Sequence, residues 1–185
     1  LSASYRQIEE GKTPYQRKCA LRDTAVMELL FATGVRVSEL CRLRRRDVDL
    51  PEGKLKIYGK GAKERIIQIG NPSVLKLLNQ YCLVYNIEKD SPFFLNKCGR
   101  RLSEQSVRQI IVKHAKQAEI SMTITPHMFR HSFASMLLEE DVDIRYIQQL
   151  LGHSSITTTQ IYTHVAMAKQ KSILVHKHPR NKILL

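Results

Sequence analysis

The chain has 185 residues, 43% of them hydrophobic, which is enough for one domain with a substantial buried core. Its 30 lysines and arginines exceed its 17 aspartates and glutamates by 13, and such an excess favours a polyanionic partner such as nucleic acid. The absence of Trp argues against a surface that stacks many single-stranded bases, and no apolar run approaches the ~18 residues of a membrane span.

The first predicted elements are two helices. Residues 1–18 are polar and weakly patterned, whereas apolar residues recur at helical spacing from Ala20, and Gly34 is placed to end that helix. A second helical stretch is predicted from about Val37 to Leu43, followed by a turn through residues 44–47.

A β-hairpin is predicted next. Residues 54–58 and 64–69 alternate like strands and are joined by the glycine-rich segment 59–63. Pro72 opens a helix that reaches about Tyr85, and residues 93–95 are a candidate third strand.

The second half of the chain is predicted to be helical. Ser103 and Thr125 are predicted N-caps, and Pro126 stands at the first helical position, where its missing N–H costs nothing. Gly152 is placed to end a helix. Helices are predicted over about 104–118, 126–138 and 144–151 and from 154 or 155 through 162, followed by an amphipathic segment at 166–175 and a basic tail at 176–185.

The cysteines suggest a reducing compartment. The four of them, Cys19, Cys41, Cys82 and Cys98, are far apart and form no CxxC pair. Scattered cysteines without a secretory leader are typical of reduced thiols, most of them small buried hydrophobic side chains. We therefore expect a cytoplasmic protein.

A candidate anion site lies at the start of the helix that Pro126 opens. His127 and Arg130 are three residues apart and share a face of that helix, whose first turn has free backbone N–H groups. The Arg130 guanidinium is a planar fork that matches two phosphate oxygens. A capped helix with an ordinary surface arginine has the same sequence, so the residues alone leave both interpretations open.

Two more candidate cations lie earlier in the chain. Arg36 follows the predicted helix end at Gly34, and Glu39, three residues on, is placed to hold its side chain. The alternative is a surface ion pair of little energetic value. Lys60 lies between two glycines at the hairpin tip, where a long cationic side chain reaches a substrate, although Gly-Lys-Gly also occurs in plain solvated turns.

Tyr162 is the candidate nucleophile, nine residues after His153. A tyrosine hydroxyl has a pKa of about 10, so it needs a base or a positively charged pocket to react as the phenolate. Arg36, Arg130 and the two histidines, His127 and His153, would supply both.

Five segments of the chain, taken in order, resemble the successive boxes of the tyrosine recombinase (phage integrase) family. Each box alone is moderately specific, whereas all five in order are very specific. The resemblance spans from about Leu21 to about Val165 and is strongest to bacterial Xer-type resolvases and integrases of mobile elements. The segments are 33–40 (TGVRVSEL), 59–65 (GKGAKER), 126–131 (PHMFRH), 151–153 (LGH) and 158–164 (TTQIYTH).

The resemblance implies that the chain breaks and rejoins DNA. Arg36 and Arg130 would clamp the non-bridging oxygens of the scissile phosphate while Tyr162 attacks in line and forms a 3′-phosphotyrosyl bond. Lys60 would protonate the departing 5′ oxygen. Such an enzyme serves integration and excision of a mobile element or resolution of replicon dimers.

Three further residues receive supporting roles from the same resemblance. His127 would assist proton transfer at the tyrosine, His153 would hydrogen-bond the phosphate, and Glu39 would steady the site from behind. Neither a metal nor a nucleotide is expected, because the phosphotyrosyl bond retains the energy of the cut and no Walker-type loop is present.

The resemblance also implies architecture and partners. The fold would be mainly α with a small antiparallel β-sheet, an α+β domain of the tyrosine recombinase catalytic type. Residues 1–165 would form this domain, and 166–185 a C-terminal segment and basic tail that docks on a neighbouring protomer or on its own domain. The family's N-terminal DNA-clamping domain would be absent from this chain. The expected partner is double-stranded DNA, with no membrane, in a homo-tetramer on paired sites or a hetero-tetramer with a related recombinase.

Contacts to the DNA backbone and rival functions complete the predictions. Candidate backbone contacts are Arg44, Arg45, Arg46, Lys63 and Arg65, although a charge run is usually a solvated face. One rival is a DNA-binding module without chemistry, and another is a type IB topoisomerase, which shares the phosphate chemistry. A third is a metal site that uses His127 and His131 with the later histidines His164, His176 and His178. We expect instead that His131 is structural and packs behind the site.

Overall fold

The computed structural model describes residues 1–59, 64–140, 142–152 and 173–183. Residues 173–177 are helical, in addition to the seven helices named below. Two short 3-10 segments are Arg45–Asp47 and Pro179–Lys182. The helices are α1 (Ser2–Glu10), α2 (Pro14–Thr33), α3 (Val37–Arg42), α4 (Pro72–Tyr85), α5 (Glu104–Gln117), α6 (Pro126–Glu139) and α7 (Ile144–Leu151), and the strands are β1 (Val48–Asp49), β2 (Lys54–Tyr58) and β3 (Glu64–Gln68). The predicted class, mainly α with a small antiparallel sheet, is confirmed.

Helix α2 is the centre of the fold, and it begins six residues before the predicted start. The N-cap is Thr13, whose hydroxyl accepts the Gln16 N–H (3.1 Å) while the Gln16 side chain accepts the Thr13 N–H (3.2 Å). The first turns are exposed, so they carry no apolar periodicity, whereas the part from Ala20 onward is almost wholly buried. Capping chemistry rather than hydrophobic pattern therefore determines where α2 starts.

Helix α1 was not predicted from the sequence. Its apolar face is built by Leu1, Tyr5 and Ile8, which pack against the main core at helical spacing. Three such residues among polar ones are a weak signal, because the rest of the helix faces solvent. Packing onto α2 is what stabilises it.

The sheet has the predicted hairpin but a different third strand. Strands β2 and β3 pair antiparallel with Ile57 opposite Arg65, and β1 pairs with the other edge of β2. The prediction that residues 93–95 form the third strand is wrong. Phe93 and Phe94 are buried in the main core, and the Phe93 N–H donates to the Leu43 carbonyl (2.8 Å) instead of joining the sheet.

Helices α6 and α7 form a smaller second core beside α2. Helix α6 begins at Pro126 and α7 ends at Leu151, as the capping residues predict. Their buried contacts include Phe133, Ile147 and Leu150. The predicted helix from 154 or 155 through 162 and most of the segment 166–175 lie outside the described residues.

The C-terminal segment, residues 173–183, packs on its own domain. Leu174 is fully buried in the second core. The Nε2–H of His178 donates to the Ala32 carbonyl (2.7 Å), and Arg180 forms a buried ion pair with Glu28 (2.8 Å). The described part of the predicted basic tail thus contacts α2. Exchange of this segment between protomers stays a prediction.

Within the described ranges, no helix combines the length and apolar character that crossing a membrane requires.

Candidate functional site

The turn between α2 and α3 positions Arg36. Gly34 ends α2 with φ +60°, and its N–H donates to the Leu30 carbonyl (3.0 Å). A Cβ at this position would lie 2.6 Å from the Phe133 ring and 2.9 Å from the Leu151 side chain. Only glycine satisfies both the backbone angle and this close approach. The turn delivers Arg36 to the N-cap of α3 with 41% of its side chain exposed.

Glu39 holds Arg36, as the sequence predicts. The Arg36 backbone N–H donates to one carboxylate oxygen (2.8 Å) and its Nη1 donates to the other (3.1 Å). The Glu39 side chain is only 5% exposed. An ionised carboxylate at that depth requires compensating cations, and one partly exposed arginine is a weak one.

Arg65 supplies the second cation. Its Nη1 and Nη2 donate to the two oxygens of Glu39, both at 2.8 Å, and its Nε donates to the Leu150 carbonyl (3.1 Å). Burial would raise the pKa of Glu39, but the bonds from Arg65 and from the Arg36 N–H outweigh it, so that pKa lies below its ordinary value. Glu39 is therefore an anion at neutral pH.

Arg130 is anchored to two backbone carbonyls. From the first turns of α6, its Nη1 donates to Gly34 and its Nη2 to Leu151, both at 2.8 Å. Burial, and then the charge of Arg36, lower the pKa of this half-buried guanidinium to about 10. Arg130 therefore still carries its charge at neutral pH.

These four side chains form one anion pocket. Arg36 and Arg65 both bind Glu39. Arg130 binds the carbonyl of Gly34, two residues before Arg36, and that of Leu151, next to the Leu150 carbonyl that Arg65 binds. Three guanidiniums and one carboxylate leave a local charge of +2 (3 − 1). A fixed positive pocket of this kind suits a phosphate.

The two histidines of α6 are both exposed. His127 lies in the first turn of the helix, three residues before Arg130, consistent with the predicted shared face. His131 is exposed as well, so the prediction that it packs behind the site is wrong. His131 lies one helical turn after His127, on the opposite face of α6 from Phe133 and Leu137, which are buried in the second core.

Four predicted site residues lie outside the described part of the chain: Lys60, Lys63, His153 and Tyr162. Gly152, which precedes His153 in the sequence, lies against Arg65, because a Cβ on Gly152 would be 2.9 Å from Nη1. The predicted roles of these four residues stay predictions.

The remaining candidate DNA contacts differ in how free they are. Arg44 is exposed, the Nη1 of Arg45 donates to the Val48 carbonyl (2.7 Å), and Arg46 pairs with exposed Asp90 (3.0 Å). Exposed pairs of this kind are worth little and open readily. Their contact with DNA stays a prediction, as does that of Arg65.

The described residues give no support to the metal alternative. His178, one of its candidate ligands, donates from Nε2 to Ala32 and accepts the Arg180 N–H at Nδ1 (2.9 Å). Both ring nitrogens are thus occupied. Across the described ranges, no three His, Cys, Asp or Glu side chains are grouped so as to hold a metal ion.

Comparison with known proteins gives matches along nearly the whole chain. Residues 7–169 match the phage integrase family. A tyrosine recombinase of Agathobacter rectalis is 59% identical over 178 residues, which are 95% of this chain and 58% of that protein. The chain thus spans less than two thirds of the length of the curated relatives it matches.

Solved structures of recombinases also match this chain. The crystal structure of XerA recombinase matches with a TM-score of 0.69 and 31% identity, covering 100% of this chain and 65% of that one. The XerH site-specific recombinase bound to its difH substrate, in a pre-cleavage complex, matches with a TM-score of 0.69 and 26% identity, covering 93% of this chain and 50% of that one.

Proposed function

We propose, from the premise that this chain belongs to the phage integrase family, that it is the catalytic domain of a tyrosine-type site-specific DNA recombinase. The family resemblance of its five sequence boxes is confirmed, and its fold is that of tyrosine recombinase catalytic domains. The activity, the DNA substrate and the assembly are our proposals for the protein.

The observation that carries the proposal is the anion pocket. Arg36 caps α3 and Arg130 lies on α6, 94 residues apart in sequence (130 − 36), yet Arg130 binds the carbonyl of Gly34, two residues before Arg36. Arg36 and Arg130 keep N–H donors beyond those bonded to Glu39, Gly34 and Leu151, since a guanidinium has five. A phosphate bound between them would accept hydrogen bonds from both guanidiniums.

The pocket suits the transition state of phosphoryl transfer. Negative charge grows on the equatorial oxygens as phosphorus becomes pentacoordinate, and cations already fixed in place stabilise it without reorganising. Arg130 is fixed by two carbonyls and Arg36 by Glu39. This electrostatic stabilisation needs neither a metal nor a nucleotide.

The proposed reaction begins with in-line attack of Tyr162 on the scissile phosphate. The Oη of Tyr162 attacks phosphorus as the P–O5′ bond breaks, which gives a 3′-phosphotyrosyl bond and a free 5′ hydroxyl. His127 takes up the tyrosine proton, Lys60 protonates the departing oxygen, and His153 hydrogen-bonds the phosphate. Attack by a 5′ hydroxyl reverses the sequence and rejoins the strand.

The proposed substrate is double-stranded DNA carrying paired sites, and the proposed place of action is the cytoplasm. XerH, with which this chain shares its fold, is bound to a DNA substrate in its solved complex. We propose a homo-tetramer on paired sites, or a hetero-tetramer with a related recombinase. The reaction would serve integration and excision of a mobile element or resolution of replicon dimers.

Trapping the covalent intermediate tests the function. Nicked suicide duplexes, which lose the leaving strand after cleavage, should accumulate an adduct that survives denaturation. Tyr162→Phe should abolish the adduct and spare DNA affinity, while Tyr15→Phe, a matched change at a 61% exposed tyrosine on α2, should leave it intact. An adduct from the Tyr162→Phe protein would identify a different nucleophile.

Two results would favour the rival functions. Wild-type protein that binds DNA but forms no adduct on any duplex would be a binding module. Relaxation of supercoiled plasmid by dilute monomer without site preference would indicate a topoisomerase.

A further inference from the structure

Arg65 connects three parts of the anion pocket through one guanidinium. It binds both oxygens of Glu39 and the Leu150 carbonyl, and its side chain is only 15% exposed. Its plane also lies against Gly152, where an added Cβ would fall 3.0 Å from Cζ. Strand β3, helix α3 and the end of α7 therefore meet at this side chain.

We propose that Arg65 is a positioning residue for strand cleavage, and that it acts through Glu39 and the end of α7 rather than by binding a DNA phosphate. The inference rests on the proposed recombinase function and deepens it, because it states what holds the phosphate-binding arginines in place. It also assigns Arg65 a role different from the backbone contact that the sequence suggests.

The first link runs through Glu39 to Arg36. A bidentate bond fixes the plane of a carboxylate, which a single bond does not. Glu39 then presents one oxygen to the Arg36 N–H and the other to its Nη1. With Arg65 absent, Glu39 keeps only the two bonds from Arg36 itself, one of them the 3.1 Å bond from a partly exposed guanidinium, so the carboxylate plane and the direction of Arg36 are held less firmly.

The second link runs through the last turn of α7. The final carbonyls of a helix have no partner within the helix and carry its negative dipole end. Arg65 binds Leu150 and Arg130 binds Leu151, so two guanidiniums hold neighbouring carbonyls. Loss of Arg65 would loosen the turn against which Arg130 is fixed.

The geometry disfavours Arg65 as a phosphate contact. Three of the five N–H groups of its guanidinium already have partners in the domain. Its charge is balanced by Glu39 at 2.8 Å. An approaching phosphate would compete with a carboxylate that is already desolvated and bidentate.

The experiment compares Arg65→Ala and Arg65→Lys with the wild-type protein on nicked suicide duplexes at saturating DNA. We expect adduct formation to slow by about 100-fold, the loss typical of a misplacement near 1 Å. Lysine retains the charge but not the fork, so Arg65→Lys should recover little of the rate. DNA affinity and its salt dependence should be unchanged in both.

Arg22→Ala is the matched control. Arg22 is 12% exposed and pairs with the buried carboxylate of Asp23 (2.6 Å), so its loss removes a buried ion pair on α2, outside the anion pocket. It should leave the cleavage rate unchanged. Equal slowing by Arg22→Ala would mean that the loss reports general destabilisation, and the proposal would be overturned.

A double-mutant cycle tests the route of action. Glu39→Ala with Arg65→Ala removes both partners of the buried pair, and Arg36, which also loses its carboxylate, has 41% of its side chain exposed to water. If Arg65 acts largely through Glu39, the double variant should cleave within about threefold of Glu39→Ala alone. Fully multiplied losses would show that Arg65 does not act through Glu39, which overturns the first link.

The outcomes separate this inference from the proposed function. No adduct from wild-type protein on any duplex contradicts the recombinase function itself. Wild-type cleavage with an equally fast Arg65→Ala protein contradicts only the positioning role. A normal saturated rate with weaker affinity, and a salt slope lower by about 1, would make Arg65 a phosphate contact after all.

Discussion

Replacing Gly34 by alanine should destabilise the protein far more than the same change at another left-handed glycine. Gly34 has φ +60°, and an alanine there costs about 1–2 kcal/mol in backbone strain. The added Cβ would also meet Phe133 at 2.6 Å and Leu151 at 2.9 Å. Overpacking of this kind costs about 1–3 kcal/mol more, so the free energy of unfolding should fall by about 2–5 kcal/mol.

Gly99 provides the control. Its φ is +70°, but an added Cβ would meet no atom within 4 Å, so Gly99→Ala should show the strain alone, about 1–2 kcal/mol. Urea unfolding of both variants measures the difference as a shift in midpoint at unchanged slope. Equal losses at the two positions would refute the claim that close packing of α2 on α6 and α7 demands glycine at Gly34.

Three further changes test other parts of the structure. Arg180→Ala should release the C-terminal segment, because Glu28 would be left buried without its cation, at a cost of about 3–5 kcal/mol. The release should appear as faster proteolysis of that segment, and an unchanged rate of proteolysis would contradict this docking. Burial lowers the pKa of His178, so its imidazole binds a proton better in the released segment than in the docked one. Docking should therefore be complete above pH ~6.5 and weaken as the pH falls below that value. Hydrogen exchange of α2 measures this, and exchange that does not change with pH would argue against it. Tyr81→Phe should lower the free energy of unfolding by about 1–3 kcal/mol in urea, because the hydroxyl donates to Phe93 and accepts from the Leu95 N–H; a loss near zero would mean that neither bond contributes.

The elements with strong local signals were predictable. Pro126 opens α6, Gly152 ends α7 and the two hairpin strands flank a glycine-rich segment, because each feature depends on a few adjacent residues. Helix α1 and the first turns of α2 were missed, since they are mostly exposed and carry little apolar periodicity. Residues 93–95 resemble a strand because buried aromatic residues look alike in a sheet and in a core loop.

The two arginine contacts of Glu39 were not equally predictable. Glu39 lies three residues from Arg36, so their bond follows from helical spacing alone. Arg65 lies 26 residues from Glu39 and looks like one more surface charge. A usable signal was present: Glu39 lies among the apolar residues Val37, Leu40 and Cys41 of a short helix, and a carboxylate buried with them requires more than one exposed arginine to balance it.

The sequence by itself determined the family and the helical class, because these depend on residue types in order along the chain. Only the tertiary structure decided that Arg65 turns inward to Glu39, that Arg130 binds the ends of α2 and α7, and that the C-terminal segment covers Glu28. The physical reason is that buried charges choose their partners by desolvation across the whole fold, and local spacing carries no record of that choice.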